Sequence, residues 1–517
     1  MSASSVSRRR FLAWSGASAA LAAIAACGPN AGQPAPGQKA PEPTGAQSAG
    51  AKPPASAPPQ GGPATTAPGK PPVDLIKPPT ELAKPPVDQV KPGADAAKPT
   101  TAPAAAAPGK PSSAKLTLYS GIGGAAQKVY ENYATEFMQA NPGIEAETVT
   151  VVGGQPMTDK VITLIAGGTP PDLFILYQEI VPVNAAVDRK LVYALDDYIR
   201  ADKYDIDAFL PQAVELNRWD GKLWAIPRDY GNQNVYYNAD LFNKHNVALP
   251  TTDWEDKSWT WDKYLEAARA LTVQEGGKTV QWGILVNPGW RPWASYVYSN
   301  GGTVVNKDSK GVATDFAIAE PAAVEALQFI ADLMHKHRVS PTPDAFADMG
   351  MQGFFGTGKV GMVVGNPTEA AAFRRFDKID WDVAPFPLGK GAKRGVGGGG
   401  IAWAMVGATK SPDPAWKFLK HITSEKAQQQ EVAVGGTTPS RLKVVQSDEF
   451  LKPARPKNAK GFAQAQGYVV RDPVHVKWPQ VQREVVTGQM DLLFAGKADA
   501  ATVAKTIKEK GDAGFKS

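Results

Sequence analysis

Between Cys27 and Ala114 the chain has no means of building a core. Twenty-two of its 45 prolines fall between Pro29 and Pro111, and no Phe, Trp or Tyr occurs from 28 to 118. Such a stretch buries too little apolar surface to offset its ordering entropy. A seven-residue repeat runs inside it: Lys70-Pro-Pro-Val-Asp-Leu-Ile, Lys77-Pro-Pro-Thr-Glu-Leu-Ala, Lys84-Pro-Pro-Val-Asp-Gln-Val. Period seven invites a coiled coil, but two prolines per repeat remove backbone donors and block helix. Polyproline II segments in a flexible chain fit better, and about 85 such residues span roughly 50 Å as a random coil. Residues 27–113 are therefore expected to be a tether, with a Pro-rich docking site as the alternative.

What precedes the tether gives it an anchor. Ser7-Arg-Arg-Arg-Phe-Leu12 leads into an alanine-rich run, Ala13 to Ala26, and then into Cys27, the one cysteine among 517 residues. The run suits a signal-peptide core better than a permanent membrane span. Arg8 and Arg9 look like a twin-arginine export signal, and the small residues before Cys27 resemble a lipobox. Residues 1–26 are thus expected to be a cleaved signal. Cys27 would carry acyl chains that hold the protein on the outer face of the cell membrane; the plain alternative is a free cysteine. A lone cysteine excludes a disulfide scaffold and Cys-based metal sites.

Charge divides the same way. The chain carries +6 overall, +3 from residues 1–27 and +3 from 28–113, which leaves zero for 114–517. A neutral body lacks the concentrated basic face that nucleic acid demands.

From Ala114 the pattern changes to alternating strands and helices. Lys115–Tyr119 alternates like a strand, Ala126–Met138 has helical spacing, Ile144–Val152 is strand-like, Thr158–Ala166 helical, and Asp172–Tyr177 a buried strand. This βαβαβ order predicts a parallel sheet wrapped by helices. Further helices are expected at 261–271, 321–335, 413–422 and 478–494, and strands at 281–285, 360–364 and 401–406. Some 400 residues of α/β pattern suggest two lobes. Tyr119, Tyr177 and Gln178 lie at strand C-termini, which face the ligand crevice in open α/β sheets.

Seven short motifs then occur in one order. They are Ala166-Gly-Gly-Thr-Pro-Pro-Asp-Leu-Phe174, Gly221-Lys-Leu-Trp-Ala-Ile-Pro227, Val235-Tyr-Tyr-Asn-Ala-Asp-Leu-Phe242, Thr260-Trp-Asp-Lys-Tyr264, Phe355-Gly-Thr-Gly-Lys-Val-Gly-Met362, Gly397–Trp403 with Ala415–Leu419, and Gly436-Thr-Thr-Pro-Ser-Arg441. Together they resemble the sugar-type extracellular solute-binding proteins of ABC transporters, family 1, over about 115–495. The resemblance implies an α/β, two-lobed, periplasmic-binding-protein-like (type II) fold with a hinge between lobes. It also implies a monomeric receptor that closes on a mono- or oligosaccharide and delivers it to ABC permease subunits, with no cofactor and no metal. The lobes are expected at 114–228 plus 364–422 and at 229–363 plus 423–517.

Sugars offer weakly apolar faces and many hydroxyls, so aromatic platforms beside hydrogen-bonding groups suit them. Twelve of 13 tryptophans lie in the body, several in loop-like contexts: Trp224, Trp254, Trp259, Trp290, Trp293 and Trp403. Asn287-Pro-Gly-Trp290-Arg-Pro-Trp293 is the best platform. Asp229, Tyr230 and Asn232 follow the hinge-like Pro227. Asn366 follows a strand, and Gly399 and Gly400 let backbone approach a ligand closely. Arg441 suits a ligand donor or a helix cap equally. Trp224 and Trp416 read as core.

Competing motifs are weaker. Gly353–Lys359 starts like a phosphate-binding loop, but Val360 stands where Ser or Thr must meet magnesium, and a strand follows rather than precedes it. Tyr236-Tyr237 resembles the tyrosine pair of ferric-ion-binding relatives, yet strand alternation points the two rings to opposite faces. His335 and His337 are two apart on a helix and face differently. The main rival is a glycan hydrolase or lyase, with Asp172, Glu179 and Asp229 as candidate carboxylates; a receptor for a non-sugar solute is the other.

Overall fold

The computed structural model describes residues 114–517 except Ala392 and Gly436. Arg8, Arg9, Cys27 and the tether of 27–113 lie outside the described residues.

The expected βαβαβ unit is present. Strand Ala114–Ser120 pairs in parallel with Ile144–Thr150 on one side and Leu173–Tyr177 on the other. Helix Ala125–Ala140 joins the first pair and buries Val129, Tyr130, Tyr133, Ala134 and Phe137, the i, i+4, i+8 stripe that helical spacing predicts. The sheet is completed from far along the chain. Strand Ile401–Met405 runs antiparallel to Leu173–Tyr177, and Ile226–Pro227 pairs with it at the edge. Leu118, Ile175, Trp403 and Met405 meet in the core of this first lobe.

The second lobe holds another five-stranded sheet, in the order Trp381–Ala384, Asn234–Asn238, Val360–Gly365, Lys278–Leu285, Val273–Glu275. Asn234–Asn238 is buried throughout because it lies between two partners. Its alternation sends Tyr236 into a cluster with Phe373 and Trp381, and Tyr237 into another with Phe242, so the two rings face apart as the pattern predicts. Helix Trp261–Leu271 lies so close to this sheet that a side chain at Gly283 would collide with the Ala268 carbonyl.

The lobe boundaries differ from those expected. Residues 364–422 are expected in the first lobe, but Trp381–Ala384 hydrogen-bonds to Asn234–Asn238 in the second sheet. The chain returns to the first lobe only through the glycine run that ends at Gly400. It then stays there beyond 422, since Trp416, Phe418, Ile422 and Ala427 share the first core. The helix expected over 478–494 is also interrupted. A π turn at Gln482–Val486 divides it, and the Thr487 hydroxyl donates to the Gln482 carbonyl across that turn (3.0 Å).

Candidate functional site

The chain passes between the lobes three times, at about 228–233, 398–401 and 434–440. These crossovers are knitted together. Gly231 and Gly399 exchange backbone bonds of 2.7 and 3.1 Å, and the Tyr230 N–H donates to the Thr438 carbonyl (3.1 Å). Asp229 touches all three segments. Its carboxylate is paired with Arg228, accepts from the Ile401 N–H at 3.0 Å, and accepts from the Thr437 hydroxyl at 3.3 Å. Gly400 has to be glycine here, because a Cβ would fall on the Asp229 carbonyl oxygen.

Above this floor lies a cavity of about 500 Å³. The first lobe contributes Ile122, Gly123, Tyr177 and Glu179. The second contributes Arg291, Asn366, Pro367 and Thr368. The crossovers contribute Arg228, Asp229, Gln233, Gly399, Gly400, Thr437 and Thr438. Two of these lining side chains, Gln233 and Thr438, are almost wholly buried yet leave Gln233 Oε1 and Thr438 Oγ1 without a partner. An unpaired buried polar atom costs about 1–3 kcal/mol.

The cations of the cleft are tightly held. Arg228 is buried; its Nη2 lies 2.6 Å from Glu431 Oε2, and its Nε donates to the Tyr130 hydroxyl at 2.9 Å. Glu431 stands on helix Glu425–Val434, whose start is capped by the Ser424 hydroxyl accepting from the Ala427 N–H. Burial pushes the Glu431 carboxyl up to about 7; Arg228 opposes that rise and the charge of Asp229 adds to it. Arg291 reaches across the cleft. Its Nη2 is 3.0 Å from Glu179 in the first lobe and 2.6 Å from Asp472 in its own. Burial also raises the Tyr177 hydroxyl to about 12, so it stays protonated and able to donate.

Of the residues expected at the site, Tyr177, Asp229, Asn366, Gly399 and Gly400 line this cavity. Trp290 lies beside it. It lines a neighbouring pocket of about 300 Å³ that shares Glu179 with the cleft. Its ring packs edge-on against Trp293 and Trp478, and its Nε1 donates to Asp472 (2.9 Å).

The others are placed elsewhere. Tyr119 is half-buried against the first core. Gln178 donates to Asn217 (2.8 Å). Trp293, on helix Trp290–Ser299, and Trp403, on strand Ile401–Met405, are turned into the cores, and Tyr230, in the crossover segment, is buried against the second lobe. Asn232 is spent on the Phe462 carbonyl and on Asn234. Arg441 stands at the N-cap of helix Leu442–Val445 without a side-chain capping bond, and it does not line the cleft. Its Nε donates to the Thr423 carbonyl (2.6 Å), and its guanidinium sits 4.2 Å over Phe209. Trp254 and Trp259, read as loop aromatics, are also buried. Trp416 is core, as expected, with its Nε1 on Asp202.

Arg228, Gln233, Arg291 and Thr438 were missed as site residues. Arg291 and Thr438 lie inside motifs already singled out, and Arg228 directly follows Pro227. Asp172 is a structural carboxylate, accepting from the Thr117 N–H (2.9 Å) and the Thr409 hydroxyl (2.6 Å).

Residues 123–429 match the family described as bacterial extracellular solute-binding protein. A maltooligosaccharide ABC transporter solute-binding lipoprotein of Streptococcus pneumoniae is 23% identical over 430 residues, covering 79% of this chain and 93% of that protein. An sn-glycerol-3-phosphate-binding periplasmic protein of Brucella melitensis is also 23% identical over 430 residues, covering 77% and 92%. Among solved structures, an ABC substrate-binding protein of Listeria monocytogenes in complex with cycloalternan superposes with a TM-score of 0.67 at 23% identity, covering 77% of this chain and 97% of that one.

Proposed function

The chain belongs to the bacterial extracellular solute-binding protein family, and on that premise we propose that it is the membrane-tethered receptor of an ABC importer for a mono- or oligosaccharide. The observation that carries this reading is the cavity itself. Both lobes and all three crossovers line it. A ligand that touches both walls stabilises the closed arrangement, which then presents one surface to the permease. Tyr177 and Asn366 offer hydroxyl and amide groups from opposite lobes, and Trp290 extends the contact surface at the cleft margin. The work is binding without bond breaking. Asp229 and Glu179, the carboxylates a hydrolase would need, are engaged by Arg228 and Arg291.

The maltooligosaccharide of the Streptococcus pneumoniae relative and the cycloalternan bound in the Listeria monocytogenes structure support a saccharide. Cys27, with Arg8 and Arg9 ahead of it, is assigned to lipid attachment after export, and 27–113 to the spacer. The protein works as a monomer. Loss of acyl labelling in Cys27→Ala, with the chain released from membranes, is the expected outcome for the anchor.

Thermal unfolding against a saccharide panel, with polyamines, amino acids and ferric citrate as controls, tests the ligand class. A bound sugar at a hundred times its Kd adds about 2.7 kcal/mol of stability. Intact sugar recovered afterwards supports a receptor. Cleaved sugar supports the hydrolase instead, and a shift with controls alone overturns the saccharide.

A further inference from the structure

We propose that the cleft accepts uncharged saccharides and excludes those bearing a carboxylate or phosphate; this rests on the receptor reading above and narrows its ligand class. Anionic sugars are normally held by arginine or lysine forks with valences to spare. Here, among the described residues, Arg228 and Arg291 are the only Lys or Arg side chains lining the cavity. Neither is free. Arg228 is 6% exposed and faces Glu431, Asp229 and the Tyr130 hydroxyl. Arg291 presents Nε to Asp472 at 3.1 Å and Nη2 to both Asp472 and Glu179.

Two guanidiniums thus meet four carboxyl groups, three of them besides the part-protonated Glu431, so the cluster carries an excess of at least one negative charge. An incoming anion would meet guanidiniums whose charge is already neutralised, against the repulsion of the seated carboxylates. The polar lining groups besides these ion pairs, such as the Tyr177 hydroxyl and the Asn366 amide, are neutral and suit hydroxyls.

The experiment follows stability and affinity of the full chain with four probes: inorganic phosphate, sn-glycerol 3-phosphate, glucuronate, and a panel of neutral oligosaccharides. Unmodified protein is expected to ignore the three anions. Glu179→Gln, a half-exposed position, releases one partner of Arg291 and is expected to bind the anions at least about tenfold more tightly than the parent. Asp472→Asn is the second variant and should act in the same direction. Binding of glycerol 3-phosphate or glucuronate by the unmodified protein, lost in Arg291→Ala, would overturn the proposal while leaving the receptor reading intact. Anion gain in Glu179→Gln with no response to any neutral saccharide would uphold the charge assignment and count against the sugar reading. No gain in either folded variant would also overturn it, because Arg291 would then not be the masked anion site.

Discussion

Gly400 and Gly488 show how little residue identity says without its surroundings. A methyl group at Gly400 meets the Asp229 carbonyl, whereas one at Gly488, on the exposed face of helix Thr487–Phe494, meets nothing. Gly400→Ala should therefore destabilise by about 1–3 kcal/mol through overpacking of the crossover. Gly488→Ala should stabilise by about 0.5–1 kcal/mol by removing backbone freedom from the unfolded chain. Opposite shifts in denaturant midpoint check both. Trp290 carries two duties, a ring at the cleft margin and an N–H that orients Asp472. Trp290→Ala should weaken saccharide binding by about 1–3 kcal/mol with the fold retained. Trp290→Phe keeps a ring but loses the N–H, so calorimetry on the pair separates stacking from the indirect hold on Arg291.

Helix Glu425–Val434 delivers a buried carboxyl to the hinge, and its titration should be visible in stability. The Glu431 pKa rises to about 7 in the fold, so the folded state binds the proton more tightly than the unfolded chain. Its contribution is complete below the unfolded value, near 4.5, and is lost as pH climbs to 7. Glu431→Gln should remove that slope. The difference in unfolding free energy between parent and variant should move against the parent from pH 5 to pH 8, and a flat difference would contradict the burial argument. This element also shows where the sequence was readable. Ala126–Met138 and Trp261–Leu271 could be read because their apolar spacing is local. The return of Ile401–Met405 to the first sheet, and the departure of Trp381–Ala384 from it, depend on pairings across more than 140 residues, which no window of residues encodes. The site was legible in the same uneven way. Tyr177, Asn366 and the glycines stand at strand ends and turns that pattern reveals. Arg228 follows strand Ile226–Pro227 and Gln233 precedes strand Asn234–Asn238, and only the meeting of three crossovers makes them lining residues. Loop-like tryptophans misled because burial of Trp254 against Tyr468, stacked at 5.2 Å, is a tertiary event.

At the scale of the molecule, neither lobe is one continuous stretch of chain. The first sheet needs Ile401–Met405 between Leu173–Tyr177 and Ile226–Pro227. A chain ended at Gly398 should thus lose the tertiary packing of both lobes, because it also removes Trp478, Leu493, Ile507 and Phe515 from the second core, read as loss of near-ultraviolet circular dichroism and protease cutting throughout 114–398. The three crossovers joined at Asp229 have a mechanical consequence. Three side-by-side spans, cross-linked to one carboxylate, resist sliding and twisting and leave rotation about a line near the cleft floor as the soft mode. A contact acts on such an axis in proportion to its lever arm. Groups on the floor register ligand with almost no torque, whereas Trp290 and Glu179, farther out, convert a small force into a large change of angle. Ligand reach, more than ligand grip, then sets how far the jaws shut.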